Sequence, residues 1–280
     1  MTTPIHDRFG PDRSFDRIGV RLLKVDLITI AREWDSADVR GTFWRLYLNT
    51  RNGAHVTANG AIFAIEPGCL NIIPPWVRFS CHCDRPVEHF YIHADIIGVP
   101  GMLVRETLPG PFRLSADSAL QHQFAGLRQC LRDSGHLDLP GRLNLKGAVA
   151  CALAEMIESL PAPGREAWER LLHDPLVVAP ALELMARRLA SPPDNGELAA
   201  ACHLSPDHFA RRFRTLVGQT PHQYVLEQRL SRAAQLLVFT TQSIEAIAEE
   251  TGFTNRYHFT RVFTSHLGVP PATYRRTTRV

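Results

Sequence analysis

Short runs of β-branched and aromatic residues occupy the region from Leu22 to Ala94, and turn-forming residues separate them. Within several runs apolar and polar residues alternate, which is the period of a β-strand. Asn52-Gly53 offers a hairpin turn, and Pro67-Gly68 and Pro74-Pro75 divide later runs. The runs cover residues 27–30, 43–48, 54–57, 61–65, 71–73, 77–81 and 88–94. This regular spacing predicts an antiparallel sheet folded into a small barrel or sandwich.

A helical period replaces the alternation after Pro111 and predicts two helices, over residues 115–132 and 141–160. The second helix carries one apolar stripe, formed by Leu145, Val149, Leu153, Met156 and Leu160. Two partners for this stripe stay open, since it can pack on the barrel of the same chain or on the same helix of a second subunit. On the second alternative the stripe is a dimer interface, and we expect residues 1–173 to form a homodimer.

An internal repeat occupies the last third of the chain, where the pattern is helical from Leu176 to the end. The repeated residues, fifty positions apart, are Phe209 and Phe259, Arg211 and Arg261, Phe213 and Phe263, Gly218 and Gly268, Pro221 and Pro271, and Tyr224 and Tyr274. Each copy predicts a short helix, a turn and a second helix, over 197–202 and 205–217 in the first and 243–250 and 255–267 in the second. The pattern is that of a helix-turn-helix, present twice. We place the domain boundary near residue 174.

Local residues support these helix boundaries. Ser205 is a good N-cap and is followed by a proline, which suits the first helical position. In the second copy Gly252 supplies the turn, and Thr254 or Asn255 the cap. His203 stands in the first copy where glycine is expected, which is a departure from the repeat.

A central helix joins the two copies. The segment 220–223 is a capping box, and the helix that it opens runs to about Phe239. Roughly 19 helical residues span about 28 Å, which is near the roughly 34 Å between successive major-groove faces on one side of B-DNA. One chain can therefore present two recognition helices to adjacent segments of the major groove.

Six segments of this region keep fixed spacings over about a hundred residues: 229–237, 243–248, 252–253, 258–263, 268–271 and 274–275. Together they resemble the signature of AraC-type bacterial transcription regulators. The resemblance implies a doubled helix-turn-helix at the C-terminus and a cupin-like effector-binding and dimerisation domain at the N-terminus. The segments 66–68 and 72–75 resemble that second domain.

The implied fold is α+β in two domains. Residues 1–173 are expected to form the cupin-like domain, with the barrel at about 20–110 and helices at about 115–172. Residues 174–280 are expected to form the all-α DNA-binding domain. The resemblance also implies promoter DNA, a small-molecule effector, RNA polymerase and a second copy of the chain as partners, and activation as the mode of regulation.

The distribution of charge agrees with DNA binding in the C-terminal region. The formal net charge is +3. Residues 1–173 are balanced, so the whole excess lies in residues 174–280, where every cation is an arginine. The planar guanidinium group suits phosphate and guanine. An arginine preference across the chain can also be a genomic bias.

Other classes of protein find little support. No apolar stretch has the length of a membrane span and the N-terminal segment has no signal-peptide block, so we expect a cytoplasmic protein. The six cysteines lack the spacing of zinc knuckles, and we expect no metal and no cofactor. An enzyme of the cupin type would need a paired H-x-H motif with a carboxylate, and His55 has no second histidine two residues on.

The residues expected to read DNA follow from the helical phase. Because the repeated phenylalanines must face the core, other positions of each second helix face outward. Arg211 and Arg261 can each donate two hydrogen bonds to guanine, or else be solvated surface arginines paired with an acid. Asp207 puts an anion near the phosphates, although it can accept from cytosine. The candidates are Asp207, His208, Arg211, Arg212, Arg256, Tyr257, Thr260 and Arg261.

An effector pocket is expected inside the barrel, lined by one face of alternating strands. Either face can be the inner one from the sequence. The polar and aromatic candidates are Arg45, Tyr47, His55, Trp76, His89, Tyr91 and His93. We therefore predict an effector-controlled, sequence-specific transcription regulator and no enzyme. The alternatives are a metal-dependent cupin enzyme fused to a DNA-binding domain, and a regulator without an effector.

Overall fold

The computed structural model describes residues 18–114, 119–173 and 177–278. Its N-terminal part contains two antiparallel sheets, as the alternating pattern predicts. The strands are β1 (Gly19–Ile30), β2 (Ser36–Arg40), β3 (Trp44–Asn49), β4 (Ala54–Ala58), β5 (Ala61–Ala64), β6 (Leu70–Ile73), β7 (Arg78–Cys83), β8 (Val87–Ile97) and β9 (Phe112–Leu114). The larger sheet has the order β1-β8-β3-β6-β9 and the smaller β2-β7-β4-β5.

The two sheets enclose an interior that we call the lumen. Apolar residues of both sheets meet there, among them Tyr47 and Tyr91 from the larger sheet and Val56 and Phe79 from the smaller. The other face of the larger sheet is also buried, because helices cover it. Every residue of β3 is therefore buried. Neither face of the larger sheet is therefore exposed to solvent, which explains why its strands carry few exposed side chains.

Four helices follow or flank the sheets. They are α1 (Gly101–Thr107), α2 (Ala119–Ser134), α3 (Leu139–Glu158) and α4 (Ala162–His173). The helices predicted over 115–132 and 141–160 correspond to α2 and α3, although residues 115–118 lie outside the described residues. The helical region expected over about 115–172 also includes α4, whereas α1 was not predicted and lies in the range expected for the barrel. Trp168 of α4 donates a hydrogen bond to Thr107 at 2.9 Å, which fastens these two helices together.

The apolar stripe of α3 packs inside the chain. Leu145 and Met156 are fully buried, and the stripe forms one core with Trp44, Leu46 and Ile72 on the outer face of the larger sheet. The alternative in which this stripe is a dimer interface is therefore wrong. Since helix burial on a sheet and helix burial on a second helix need the same apolar pattern, the sequence could not separate them.

The C-terminal part is helical throughout its described residues. Its helices are α5 (Ala179–Arg187), α6 (Asn195–Ala201), α7 (Pro206–Val217), α8 (Pro221–Phe239), α9 (Ile244–Glu250), α10 (Arg256–Leu267) and α11 (Pro271–Thr278). The pairs α6–α7 and α9–α10 are the two predicted helix-turn-helix units, and α8 joins them. The predicted boundary, residue 174, lies outside the described residues.

The helix caps of the two units differ in detail. Asn255 caps α10 by accepting a hydrogen bond from the His258 amide, so Asn255 is the cap and Thr254 is not. Ser205 occupies the equivalent position before α7, but its side chain makes no capping hydrogen bond. The capping box predicted before α8 is present, with Thr220 and Gln223 bonded reciprocally. Among the described residues, no helix is long and apolar enough to cross a membrane.

Candidate functional site

The second helix of the second unit, α10, presents a polar face to solvent. Phe259 and Phe263 are fully buried, so the helix is anchored by the repeated phenylalanines. On the outer side Arg256 and Arg261 are exposed, and Tyr257 is 86% exposed. Together with Thr260, Thr264 and Ser265 these side chains line an open groove. The predicted set Arg256, Tyr257, Thr260 and Arg261 therefore lies on one accessible face.

The second helix of the first unit, α7, is arranged in the same way. Phe209 and Phe213 are fully buried and Arg211 is exposed, as is its counterpart Arg261. Asp207 and His208 are exposed in the first turn. Arg212 is half-buried. An acidic group in the first turn of a helix is stabilised by the helix dipole, which gives Asp207 a structural reason to be there.

Three exposed arginines of α7 and α10 have no anionic partner in the part of the chain that the structure describes. No carboxylate of the described residues lies within ion-pair distance of Arg211, Arg256 or Arg261. Arg232 on α8, in contrast, pairs with Glu250 at 2.8 Å. The arginines at the repeated positions are thus free to meet an external anion, and a planar guanidinium group suits phosphate or a guanine edge.

The turn of the first unit contains His203 where the second unit has Gly252, and both turns have the same backbone conformation. Gly252 adopts φ +78° in the second turn, and His203 adopts φ +55° in the first. Histidine is among the residues that occupy the left-handed region more readily than most, which allows the same turn with a side chain. The turn at His203 therefore keeps its geometry without glycine.

The lumen contains most of the predicted effector residues. Arg45 and Tyr47 of β3, and His89, Tyr91 and His93 of β8, point inward and are almost completely buried. Adjacent strands pair Arg45 with His93 and Tyr47 with Tyr91. The polar face of β8 is therefore the inner face, which decides the question that the alternation left open.

Burial changes the acid–base behaviour of the lumen. It lowers the pKa of His89 to about 3, so His89 is neutral at pH 7 and donates through Nδ1 to the Asn49 side chain at 2.7 Å. Burial lowers the pKa of His93 well below its usual range, and the positive Arg45 lowers it further. Burial also raises the pKa of the Cys81 thiol to about 12. The polar groups around Arg45 are thus uncharged at neutral pH.

Two predicted effector residues lie outside the lumen. His55 projects from the outer face of the smaller sheet and stacks on His82, with ring centroids 5.0 Å apart. The residues of β4 that face inward are Ala54, Val56 and Ala58. The prediction that His55 lines the interior is wrong, because the alternation of β4 puts its alanine and valine side chains inside. Trp76 lies at the junction of the two domains.

Comparison with known proteins agrees with the geometry of the C-terminal helices. A family described as "Helix-turn-helix domain" matches residues 198–277. The MmsAB operon regulatory protein of Pseudomonas aeruginosa is 37% identical over 82 residues, which are 29% of this chain and 27% of that protein. The transcriptional regulator GbdR of the same species is 36% identical over 88 residues, 31% of this chain and 24% of that protein. The chain thus matches about a quarter of the length of these curated relatives.

Residues 198–277 form an AraC-type helix-turn-helix domain. ToxT from Vibrio cholerae has the same two-domain fold, with a TM-score of 0.55 over 91% of this chain and 97% of that chain at 11% identity. At this identity the similarity concerns the fold alone.

The C-terminal helical domain packs against the barrel through α8 and α11. Ser231 and Thr42 exchange two hydrogen bonds between side chains and carbonyl oxygens, both at 3.4 Å. Arg105 pairs with Glu227 at 3.0 Å. Phe239, the last residue of α8, packs on Phe43 at 5.5 Å between ring centroids. The recognition faces of α7 and α10 stay exposed in this arrangement.

The two repeated tyrosines both lie toward the N-terminal domain. Tyr224 lines a cleft of about 500 Å³ between the domains, together with Trp76 and Glu227. Tyr274 lies beside Arg45, and burial raises the pKa of its hydroxyl to about 12 against the effect of that cation. Both tyrosines were identified in the sequence as equivalent positions of the repeat. Their role at the interface was not predicted, because position in a repeat does not say which surface meets the other domain.

Proposed function

We propose that this protein is a sequence-specific transcription regulator that binds double-stranded promoter DNA through α7 and α10. The proposal depends on one observation. Arg211 and Arg261, which occupy equivalent positions of the repeat, are both exposed, and buried phenylalanines hold their two helices in the same way. Both are exposed with the N-terminal domain in place and neither pairs with a carboxylate of the described residues. Arg212 is assigned to the phosphate backbone, since such contacts position the domain without reading sequence.

The division between base and phosphate contacts is testable with two variants of the full chain. A duplex target is first selected from randomised DNA. Arg261→Ala is expected to weaken its binding by about 1–3 kcal/mol and to relax preference at one base pair, because a bidentate contact to guanine is lost. Arg212→Ala is expected to weaken all sequences alike, with a salt slope shallower by about one. Titration of selected and unrelated duplexes at several salt concentrations measures both effects.

A matched control removes one positive charge elsewhere. Arg51 is exposed in the turn between β3 and β4, so Arg51→Ala should leave affinity and preference unchanged. If Arg261→Ala and Arg212→Ala behave identically, the division of roles is wrong. Equal affinity of the unaltered chain for all duplexes would contradict sequence-specific binding itself.

We further propose that the N-terminal domain binds a small organic effector in its lumen, and that binding alters transcription, with activation as the expected direction. Support comes from the buried polar and aromatic set around Arg45, a composition that ligand pockets use. A ToxT structure with TM-score 0.54 and 11% identity, covering 93% of this chain and 99% of that chain, is described as bound to (E)-4-(8-methylnaphthalen-1-yl)but-3-enoic acid. RNA polymerase is the proposed partner in activation, and the cytoplasm the proposed location, because promoter DNA is the target.

Control by an effector requires different affinities for two arrangements of the protein. A thermal-shift screen of metabolites on the full chain should yield a ligand that also changes DNA affinity and reporter transcription. A ligand that stabilises the protein yet changes neither would contradict control. A screen without any ligand would favour the effector-independent regulator.

We also propose a homodimer, with its contact on the face of α3 opposite the buried stripe. Leu139 and Leu143 are 70% and 59% exposed there. Leu143→Glu should weaken association at least tenfold, measured by sedimentation of the full chain. Ile62→Glu on β5, where the side chain is 72% exposed, is the matched control and should have no effect. A chain that sediments as a monomer at micromolar concentration would contradict the dimer.

A further inference from the structure

Arg45 is a buried cation that has no anionic partner among the described residues. The residue is 3% exposed and its guanidinium lies in the lumen. No carboxylate of the described residues lies within ion-pair distance of it, and neither terminal nitrogen meets a carboxylate or carbonyl oxygen there in hydrogen-bonding geometry. Buried arginines are almost always paired, because an unpaired charge in a protein interior is costly. This one therefore requires a reason other than stability.

The surroundings hold the guanidinium in place instead of neutralising it. The Arg45 Cζ atom lies 4.2 Å from the centroid of Phe43 and 5.3 Å from that of Phe79. A side chain at Gly41 would overlap the guanidinium and displace it from this position. Aromatic faces attract a cation, but they contribute less than a carboxylate does. The arrangement keeps the positive charge in a defined position, with the Tyr274 hydroxyl beside it and no carboxylate of the described residues paired with it.

Three further polar atoms of the lumen lack hydrogen-bond partners among the described residues. They are Asn49 Nδ2, the Tyr91 hydroxyl and His93 Nδ1. His93 is the cross-strand neighbour of Arg45, and the rings of Tyr91 and His93 are 5.0 Å apart. A second cation, Lys24, lies over the Tyr91 ring at 5.3 Å. Buried polar groups without partners are rare in native proteins, and several together point to a missing ligand.

We propose that Arg45 binds the carboxylate of an organic acid, whose apolar body lies against Phe43 and Phe79, and that Tyr91 and His93 add hydrogen bonds. A carboxylate matches the fork of the guanidinium with two parallel hydrogen bonds. The aromatic walls favour an acid with an aromatic or aliphatic body over a phosphate or a sugar. This inference rests on the proposed effector binding in the lumen and specifies the chemical class of the effector.

The position of Arg45 also connects the ligand to the DNA-binding domain. Tyr274 of α11 lies beside the guanidinium, and Phe239 of α8 packs on Phe43. Phe43 itself belongs to the apolar core of the second helix-turn-helix, together with Phe259 and Phe263. A carboxylate on Arg45 takes the place of the Tyr274 hydroxyl and loosens α11 from the barrel. The ligand thereby changes how the second unit is presented to DNA.

The experiment compares acids with their neutral amides on the full chain. The probes are benzoate, naphthoate, octanoate and palmitoleate, each with the corresponding amide, and binding is measured by calorimetry and thermal shift. At least one acid is expected to bind at least tenfold more tightly than its amide. Arg45→Met should lower the affinity for that acid at least tenfold. Arg78 is an exposed arginine of β7, and Arg78→Met should leave the affinity unchanged.

The stability of the ligand-free variants separates a binding role from a structural one. Because Arg45→Met removes an unpaired buried charge, its Tm is expected to equal or exceed that of the unaltered chain. A Tm lowered as far as a core truncation lowers it would make Arg45 structural and overturn the proposal. Tyr274→Phe keeps the ring but removes the hydroxyl, and should bind the acid at least threefold more tightly. An unchanged affinity would contradict the coupling to α11.

The remaining outcomes distinguish this inference from the proposed function. If amides bind as tightly as acids, effector binding stands and the acid class is wrong. If an acid binds but Arg45→Met does not weaken it, the site lies elsewhere. If no acid of the panel binds at millimolar concentration, the inference is overturned, while the metabolite screen still tests effector binding by other classes.

Discussion

Replacing Met156 by glutamate is expected to destabilise the N-terminal domain by at least about 4 kcal/mol. Met156 is fully buried between α3 and the larger sheet, where Trp44, Leu46 and Ile72 surround it. The variant loses core packing and places an ionisable group where no polar partner exists among these neighbours. Denaturant unfolding of the full chain, followed by far-UV circular dichroism and fluorescence, measures the loss.

The pH dependence of this loss gives a second readout. Burial raises the pKa of a carboxyl group in the folded state above its value in the unfolded chain. The unfolded state then releases its proton first as the pH rises, so stability falls with rising pH. Relative to the unaltered chain, the free energy of unfolding of the Met156→Glu variant should therefore be lower at pH 8 than at pH 5.

Ala154→Glu is the matched control on the exposed face of the same helix. Its cost should stay within about 0.5 kcal/mol, as for surface substitutions in general. A Met156→Glu chain that keeps its stability but loses self-association would contradict our placement of the stripe and would restore the dimer interface.

The apolar stripe of α3 shows that periodicity predicts a buried helix face but not the surface that buries it. The spacing of Leu145, Val149 and Met156 predicted a helix with one buried face, and that face is buried. The partner was not predictable, because the burying surface comes from Trp44, Leu46 and Ile72, about a hundred residues earlier in the chain. Periodicity is a local property, whereas the choice of partner is a tertiary one.

The lumen shows a related limit. In a sheet with one solvated face, the polar set of an alternating strand points outward. In β3 and β8 both sets are buried, since helices cover the apolar face and the lumen encloses the polar one. The alternation alone therefore could not show that Arg45 and His93, which are 3% and 4% exposed, line the interior.

Two residues that often end helices occur at the start of one. Pro163 and Gly164 both lie in the first turn of α4. Proline is tolerated there because the first amides of a helix have no partner within the helix. The doubled helix-turn-helix was predictable in detail, by contrast, because its two copies could be compared with each other within one sequence.

The second large effect is expected at the turn of the second unit. Gly252→Ala should destabilise the DNA-binding domain by about 3 kcal/mol or more, from left-handed strain of roughly 1–2 kcal/mol and steric overlap in addition. A β-carbon at Gly252 would overlap the backbone carbonyl of Ala190 and the end of Arg229. The carbonyl cannot move freely, because Arg229 donates to it at 3.0 Å and to the Leu189 carbonyl at 2.9 Å.

Two matched substitutions separate the contributions at Gly252. Gly60 has the same φ of +78° but no atom within 4 Å of its β-carbon position, so Gly60→Ala should cost only the strain, about 1–2 kcal/mol. His203 already carries a β-carbon at φ +55° in the equivalent turn, and His203→Ala should change stability by less than about 1 kcal/mol. Thermal unfolding of the full chain measures all three. A Gly252→Ala loss no larger than that of Gly60→Ala would show that the turn does not hold Ala190 against α8. If Gly252→Ala instead costs about 3 kcal/mol or more, the contact of Gly252 with Ala190, which Arg229 of α8 holds, fixes the position of the second helix-turn-helix unit on α8.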